Sequence, residues 1–182
     1  KIWTVELKPD LFWSDGEPLT SEDVVFTIEA VKNPDTRSPI YPTWQSVGVE
    51  GVNDREIRFT LRTPYVFFPE NLAALKIVPQ HIFSAIPAAN FRISDYNLEP
   101  VGSGPYAFAG FKKRRDGFIT QFNFKANQYF AGEKPLIQEL RFKFFPNYAE
   151  VTAAFNRKEV DGLGGLPADL LSNLKIGHEV RE

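Results

Sequence analysis

Four carboxylic acids, Asp15, Glu17, Glu22 and Asp23, follow Trp13 in close succession within the run WSDGEPLTSEDVVFTIEAV, residues 13 to 31. Closely set carboxyls are the equipment of a glycosidase, in which one acts as general acid and the other as base or nucleophile. Local backbone chemistry accounts for the same four residues without any reaction. Asp15 and Gly16 form a Ser-Asp-Gly turn signal, Glu17 precedes Pro18, and Glu22 and Asp23 fall where the first turn of a helix favours negative charge. Thr20 is placed to accept a free amide, with Asp23 answering three residues later as in a capping box. The sequence therefore assigns these acids to structure, and a hydrolase built on the 15 to 23 stretch is the alternative.

Other candidate groups are weaker. VGSGPY, residues 101 to 106, contains Gly-x-Gly, but a dinucleotide fingerprint needs a third glycine and a following helix, whereas Pro105 and a strand-like run follow here. A tight bend, with Gly102 and Gly104 letting two backbones approach, fits better. His81 and His178 lie far apart with no partner at helical spacing, so no metal site is expected; His81 is expected to cap or pack a short helix. Lys112-Lys113-Arg114-Arg115 ends in Asp116-Gly117 between two strand-like runs and reads as a solvated hairpin tip, with contact to nucleic acid or anionic lipid as the lesser alternative. In SPIYPTWQS, residues 38 to 46, Tyr41 and Trp44 stand without helical or strand period; they either contact a ligand or cover the core beneath a loop. Nucleophile, base and oxyanion donors are nowhere assembled.

The elements that must position these groups follow from periodicity. Residues 1 to 8 alternate Trp3, Val5 and Leu7 against polar neighbours, which predicts a half-buried strand. A helix is predicted from Thr20 to about Asn33, with Val24, Ile28 and Val31 on one stripe, Val25 at its edge, and Phe26 and Ala30 on a second front. Val47 and Val49 followed by REIRFTLR predict a hairpin with Ile57, Phe59 and Leu61 facing inward. Residues 64 to 84 read as short helices broken by Pro64, Pro69 and Pro79. Residues 85 to 100 have no clear period and are the expected boundary. Beyond them GPYAFAGFKK and FITQFNFKA predict a second hairpin, IQELRFKFF a further strand, and Asn147 with Glu150 the start of a helix that ends at VDGLGG. LPADLLSNLK predicts a last short helix. Strands and helices mix without strict βαβ alternation, so the fold class is α/β with a mixed sheet, α+β in organisation.

Composition bounds the rest. The 182 residues are 43% hydrophobic and 14% aromatic, enough to bury a sizeable core. A net charge of -2 from 21 basic and 23 acidic residues excludes an extended basic field for nucleic acid. No apolar run approaches the roughly 20 residues of a membrane span. With no cysteine there are no disulfides, thiol nucleophiles or thiolate metal sites. Methionine is also absent and residue 1 enters directly on a strand-like run, so the chain is read as a fragment.

The motifs together resemble family 5 of the bacterial extracellular solute-binding proteins, the oligopeptide, dipeptide and nickel receptors of ABC importers. WSDGEPLTSEDVVFTIEAV is similar to that family's Trp or His followed by Asp-Gly-x-Pro-Leu-Thr-x-x-Asp-Val-Val-Phe, and VGSGPYAFAGF to its Gly-Thr-Gly-Pro-Tyr strand. KANQYFAGEKPLIQELRFKFFPNYAEVTAAFNRKEVDG resembles the later block, with Lys158 where glycine is usual. The resemblance implies part of lobe I of a two-lobed, type II periplasmic-binding-protein-like fold: residues 1-90 as the extra subdomain, 91-182 as part of the main subdomain, and a second lobe beyond Glu182. It implies a receptor and not an enzyme, capturing a small solute, most often a peptide, between lobes that close like a hinge and delivering it to ABC permease subunits. A monomer without cofactor, metal or nucleic acid is expected, periplasmic or extracellular, with any lipid anchor on a leader outside this sequence. Tyr41 and Trp44 are the residues expected to wall the ligand pocket. A solute sensor on the same fold is the further alternative.

Overall fold

The first strand, β1 (Ile2–Glu6), turns Trp3 and Val5 toward the core and leaves Ile2 and Thr4 outside or half outside, as a period of two dictates. In this computed structural model, which describes residues 1–175, the acidic turn follows directly. The Trp13 amide donates to the Glu17 carbonyl at 2.8 Å, the Gly16 amide to the Trp13 carbonyl at 3.0 Å, and the Glu17 amide to Asp15 Oδ1 at 3.2 Å. Gly16 has φ +98°, and a Cβ there would lie 3.0 Å from the Tyr129 ring, so conformation and space both demand glycine.

Helix α1 (Ser21–Lys32) starts on the expected capping box. Thr20 Oγ1 accepts from the Glu22 amide at 3.3 Å, and Asp23 Oδ2 accepts from the Thr20 amide at 2.9 Å. The helix stops at Asn33, because Pro34 has no amide to donate and restricts the residue before it. Its two fronts are occupied: Val24 and Ile28 enter the main core, and Phe26 meets Phe91 with ring centroids 6.4 Å apart.

The one-turn helix α2 (Tyr41–Trp44) leads into β2 (Val47–Gly51) and β3 (Glu56–Leu61). The three strands form an antiparallel sheet in the order β1-β3-β2, with Phe59 opposite Trp3 on one side and Val49 on the other. Ile57 and Phe59 are each 1% exposed, and α1 lies over this face, so the strand at the centre carries the middle of the core. Each such side chain contributes about 1.5–3 kcal/mol by leaving water. Helices α3 (Phe68–Ala74) and α4 (Gln80–Phe83) fill the 64 to 84 stretch, and the aperiodic residues after them fold into 3-10 turns at Ala88–Ile93 and Asp95–Asn97.

A second sheet has the order β4 (Tyr106–Lys113), β5 (Ile119–Ala126) and β6 (Glu139–Lys143). Helix α5 (Tyr148–Asn156) begins at Asn147, whose Oδ1 accepts from the Glu150 amide at 3.0 Å. It ends before the glycine run expected to stop it. The Lys158 amide donates to the Phe155 carbonyl at 2.8 Å and the Glu159 amide to Ala154 at 2.9 Å, a Schellman closure with Lys158 at φ +59°. A 3-10 turn at Ala168–Asn173 replaces the expected last helix, and His178 lies outside the described residues.

By packing, the chain separates into two compact units, Lys1–Phe108 with Phe124–Glu139, and Ala109–Asn123 with Leu140–Glu182. The first holds the β1-β3-β2 sheet and helices α1 to α4, and the second holds α5 and the hairpin turn between β4 and β5.

Candidate functional site

Three aromatic rings organise the surface on which Tyr41 stands. Trp44 packs against Phe59 at 6.4 Å and edge-on to Phe68 at 5.8 Å, and Phe59 meets Phe68 at 5.5 Å. At 2% exposure Trp44 is a core residue whose indole offers no face to a solute. Tyr41 occupies the first position of the same helical turn and is 38% exposed. The helical turn separates the two side chains, and Trp44 is the one that meets the Phe59 and Phe68 rings. Phe68 anchors a second segment in the same way: it opens α3, and Tyr65, Val66 and Phe67 immediately before it are exposed. The rings of Tyr65 and Phe67 contact each other edge-on at 5.9 Å. One buried aromatic trio thus carries two segments that present Tyr41, Tyr65 and Phe67 to solvent. Such rings stack on flat apolar groups and peptide planes and attract cations on their faces.

Periodicity in the sequence does not single out Tyr65 and Phe67. The available signal is the run Pro64-Tyr65-Val66-Phe67-Phe68, in which no single face can take four consecutive large apolar groups into a core.

Where the 3-10 turn at Pro34–Thr36 meets the one at Ala88–Ile93, a hollow of about 380 Å³ is lined by Asp35, Arg37, Ala89, Arg92 and Ile93. Arg37 has φ 49° and ψ 44°, a left-handed conformation that is costly for a residue with a Cβ. Thr36 holds it there: its buried hydroxyl lies 2.8 Å from the carbonyl oxygens of both Ala30 and Asn33, and the Arg37 amide donates to Pro34. Two guanidinium groups and one carboxylate in one hollow suit a solute that carries both signs of charge.

Two of the four acids are tied into the fold by specific contacts. Asp15 and Asp23 make the turn and cap described above, and each also holds a second partner. Asp15 Oδ2 lies 2.8 Å from His81 Nε2, and Asp23, 4% exposed, accepts the Gln80 amide on Oδ1 at 2.8 Å. Thr27 Oγ1 accepts the Val78 amide at 3.0 Å beside it. The acids therefore fasten the 78–81 segment to the start of α1. A 66-residue separation between Asp15 and His81 leaves no local signal for that pairing. Two groups without a third make neither a triad nor a metal centre, and among the described residues no cluster of three or more potential ligands exists.

The glycines of VGSGPY also behave differently from expectation. Their backbones are approached: the Ser14 amide donates to the Gly102 carbonyl at 2.8 Å, and Asn127 Nδ2 to the Gly104 carbonyl at 2.9 Å. A Cβ at either glycine would meet nothing within 4 Å, so hydrogen bonding and not close packing explains the contact.

Residues 1–181 match the family described as bacterial extracellular solute-binding proteins, family 5 Middle. The chain belongs to this family. The oligopeptide-binding protein AppA of Bacillus subtilis is 28% identical over 184 residues, covering 96% of this chain and 33% of that protein. Its structure in complex with a nonapeptide superposes with a TM-score of 0.78 at 25% identity, over 87% of this chain and 31% of that one. The Clostridium difficile AppA, described as a putative peptide-binding protein, gives 0.78 at 32% identity, over 88% and 33%. NikZ of Campylobacter jejuni, in complex with Ni(L-His), gives 0.75 at 30% identity, over 88% and 31%. The chain thus spans about a third of the length of these relatives. The fold is a mixed α/β lobe fragment of the type II periplasmic-binding-protein kind. Membership in a family of solute-binding receptors also displaces the hydrolase alternative.

Proposed function

We propose that this member of the solute-binding family supplies one wall of the cleft in which an ABC importer receptor captures a peptide before delivery to its permease. The observation that carries the reading is the exposed aromatic surface, Tyr41 with Tyr65 and Phe67, mounted on the buried Trp44, Phe59 and Phe68 trio. Exposed aromatic rings such as Tyr41, Tyr65 and Phe67 cost free energy in water, part of which is recovered when a ligand covers them. Tyr41 makes the contact and Trp44 fixes its position from beneath. The cavity with Arg37, Arg92 and Asp35 adds charge of both signs, which favours a zwitterionic peptide over an uncharged sugar. Residues 1–90 form the extra subdomain of lobe I and residues 91–182 part of its main subdomain. The receptor acts as a monomer outside the cytoplasm.

Isothermal titration of the purified protein against short peptides, a neutral sugar and a nickel-histidine chelate tests this directly. Peptide binding that weakens about tenfold or more in Tyr41→Ala, with unfolding unchanged, is the expected result. Binding of the sugar or chelate alone, or peptide binding indifferent to Tyr41, Tyr65 and Phe67, overturns it.

A further inference from the structure

Charge is divided unevenly between the two compact units. Among the described residues the unit containing α1 carries eleven basic side chains against sixteen acidic ones, whereas the unit containing α5 carries nine against five. The basic excess is concentrated where Lys112, Lys113, Arg114 and Arg115 close the β4-β5 hairpin, all four of them exposed. The tip is held in one shape. The Arg114 amide donates to the Phe118 carbonyl at 2.9 Å, Gly117 turns the chain at φ +87°, and Asp116 Oδ1 accepts from the Phe118 amide at 3.0 Å. Arg114 spends its charge inside the turn, forked onto Asp116 and lying 4.9 Å above the Phe118 ring. Lys112, Lys113 and Arg115 have no carboxylate partner among the described residues, so three net charges project from the end of the hairpin.

Aromatic side chains accompany those charges. The Lys113 ammonium sits 5.9 Å from the Phe111 ring. Beside the tip, a cavity of about 280 Å³ is lined by Arg114, Lys143, Phe118, Phe144 and Glu150 among others. Cations interleaved with aromatic rings suit the headgroup layer of a bilayer, where phosphate meets the first apolar groups. A nucleic-acid backbone fits less well, because the chain as a whole is acidic and offers no extended basic track. We propose that the hairpin tip, through Lys112, Lys113 and Arg115, docks on anionic phospholipid headgroups of a membrane surface. This surface is independent of the peptide wall, and either assignment stands without the other.

Co-sedimentation of the full protein with vesicles of phosphatidylcholine, with and without phosphatidylglycerol, tests the proposal. Each basic group at an anionic surface changes partitioning about fivefold, so Lys112→Gln, Lys113→Gln and Arg115→Gln together lose on the order of 100-fold. Arg114 is left in place so that the turn keeps its Asp116 and Phe118 contacts. A control with the same charge change in the other unit, Lys8→Gln, Arg62→Gln and Lys76→Gln, separates a local patch from net charge. Expected are binding that requires phosphatidylglycerol, weakens as salt rises, is lost in the tip triple and persists in the control. Equal binding to neutral vesicles, equal loss in both triples, or binding only to bilayers that contain the permease overturns it, the last in favour of an acidic protein surface. Should the tip triple fold poorly, the unmutated protein decides the matter: binding to phosphatidylglycerol vesicles that is indifferent to salt overturns the proposal, and binding that falls steeply with salt supports it.

Discussion

Removal of the Asp23 carboxylate should destabilise the protein far more than loss of an ordinary helix cap. An exposed cap replaced by alanine costs about 1 kcal/mol, which is the expectation for Thr20→Ala. Asp23 does more. It is 4% exposed and accepts two backbone amides, that of Thr20 at 2.9 Å and that of Gln80 at 2.8 Å. Hydrogen bonds to a charged acceptor contribute roughly 1.5–3 kcal/mol each, and water regains part of the loss at the half-buried Thr20 and Gln80. Asp23→Ala should therefore cost about 3 kcal/mol, and Asp23→Asn, which keeps one acceptor oxygen, roughly 2 kcal/mol. Urea unfolding followed by tryptophan fluorescence measures both. Thr27→Val provides a second arm: Thr27 receives the Val78 amide and donates to the Asp23 carbonyl at 2.7 Å, so the double variant should be non-additive by about 0.5–3 kcal/mol. If Asp23→Ala costs no more than Thr20→Ala, the tether to the 78–81 segment contributes nothing and the reasoning fails. A variant of unchanged stability that instead abolished a turnover would restore the hydrolase reading.

Trp44→Ala should cost about 3–5 kcal/mol by opening a cavity against Phe59 and Phe68, whereas Tyr41→Ala should stay within about 0.5 kcal/mol; thermal and urea unfolding separate the anchor from the contact. Lys158→Gly should stabilise by about 0.5–1 kcal/mol, because a residue with a Cβ at φ +59° bears a strain that glycine relieves at some entropic cost; Lys158→Val should do the reverse in the same assay. The Asp116 carboxyl, hydrogen-bonded by Arg114 and by the Phe118 amide, should titrate at about 2 in place of its ordinary 3.8. Its contribution to the hairpin tip is therefore complete above about pH 4 and is lost as pH falls through 2, which a carboxyl-detected NMR titration reads.

Features that depend on neighbours in the chain were legible in the sequence. The capping box at Thr20 and Asp23, the turn at Asp15 and Gly16, the inward face of Ile57, Phe59 and Leu61, and the Asn147 start signal all rest on spacings of two to four residues. Those spacings are fixed by backbone geometry alone, so they survive any tertiary arrangement. Lys158 is legible in the same way. The sequence shows lysine where the resembling family favours glycine, and the backbone there still takes the left-handed conformation that closes the helix. The fold keeps the geometry and bears the strain.

Features that depend on distant residues were not legible. Nothing near Asp15 announces His81, nothing near Asp23 announces the Gln80 amide, and nothing in SPIYPTWQS says that Trp44 will be taken inward while Tyr41 is left outside. The last case decides the candidate site. Both aromatics lie in one turn, and which of them faces solvent is set by Phe68, a residue 24 positions beyond Trp44, whose edge fills the space beside the indole. Because Phe68 also opens α3, the same contact places Tyr65 and Phe67 on the surface. A substitution at Phe68 should therefore disturb two exposed segments at once. If Phe68→Leu destabilises the protein yet leaves peptide affinity per folded molecule intact, the aromatic surface is not positioned by this core, and the link between packing and binding is broken.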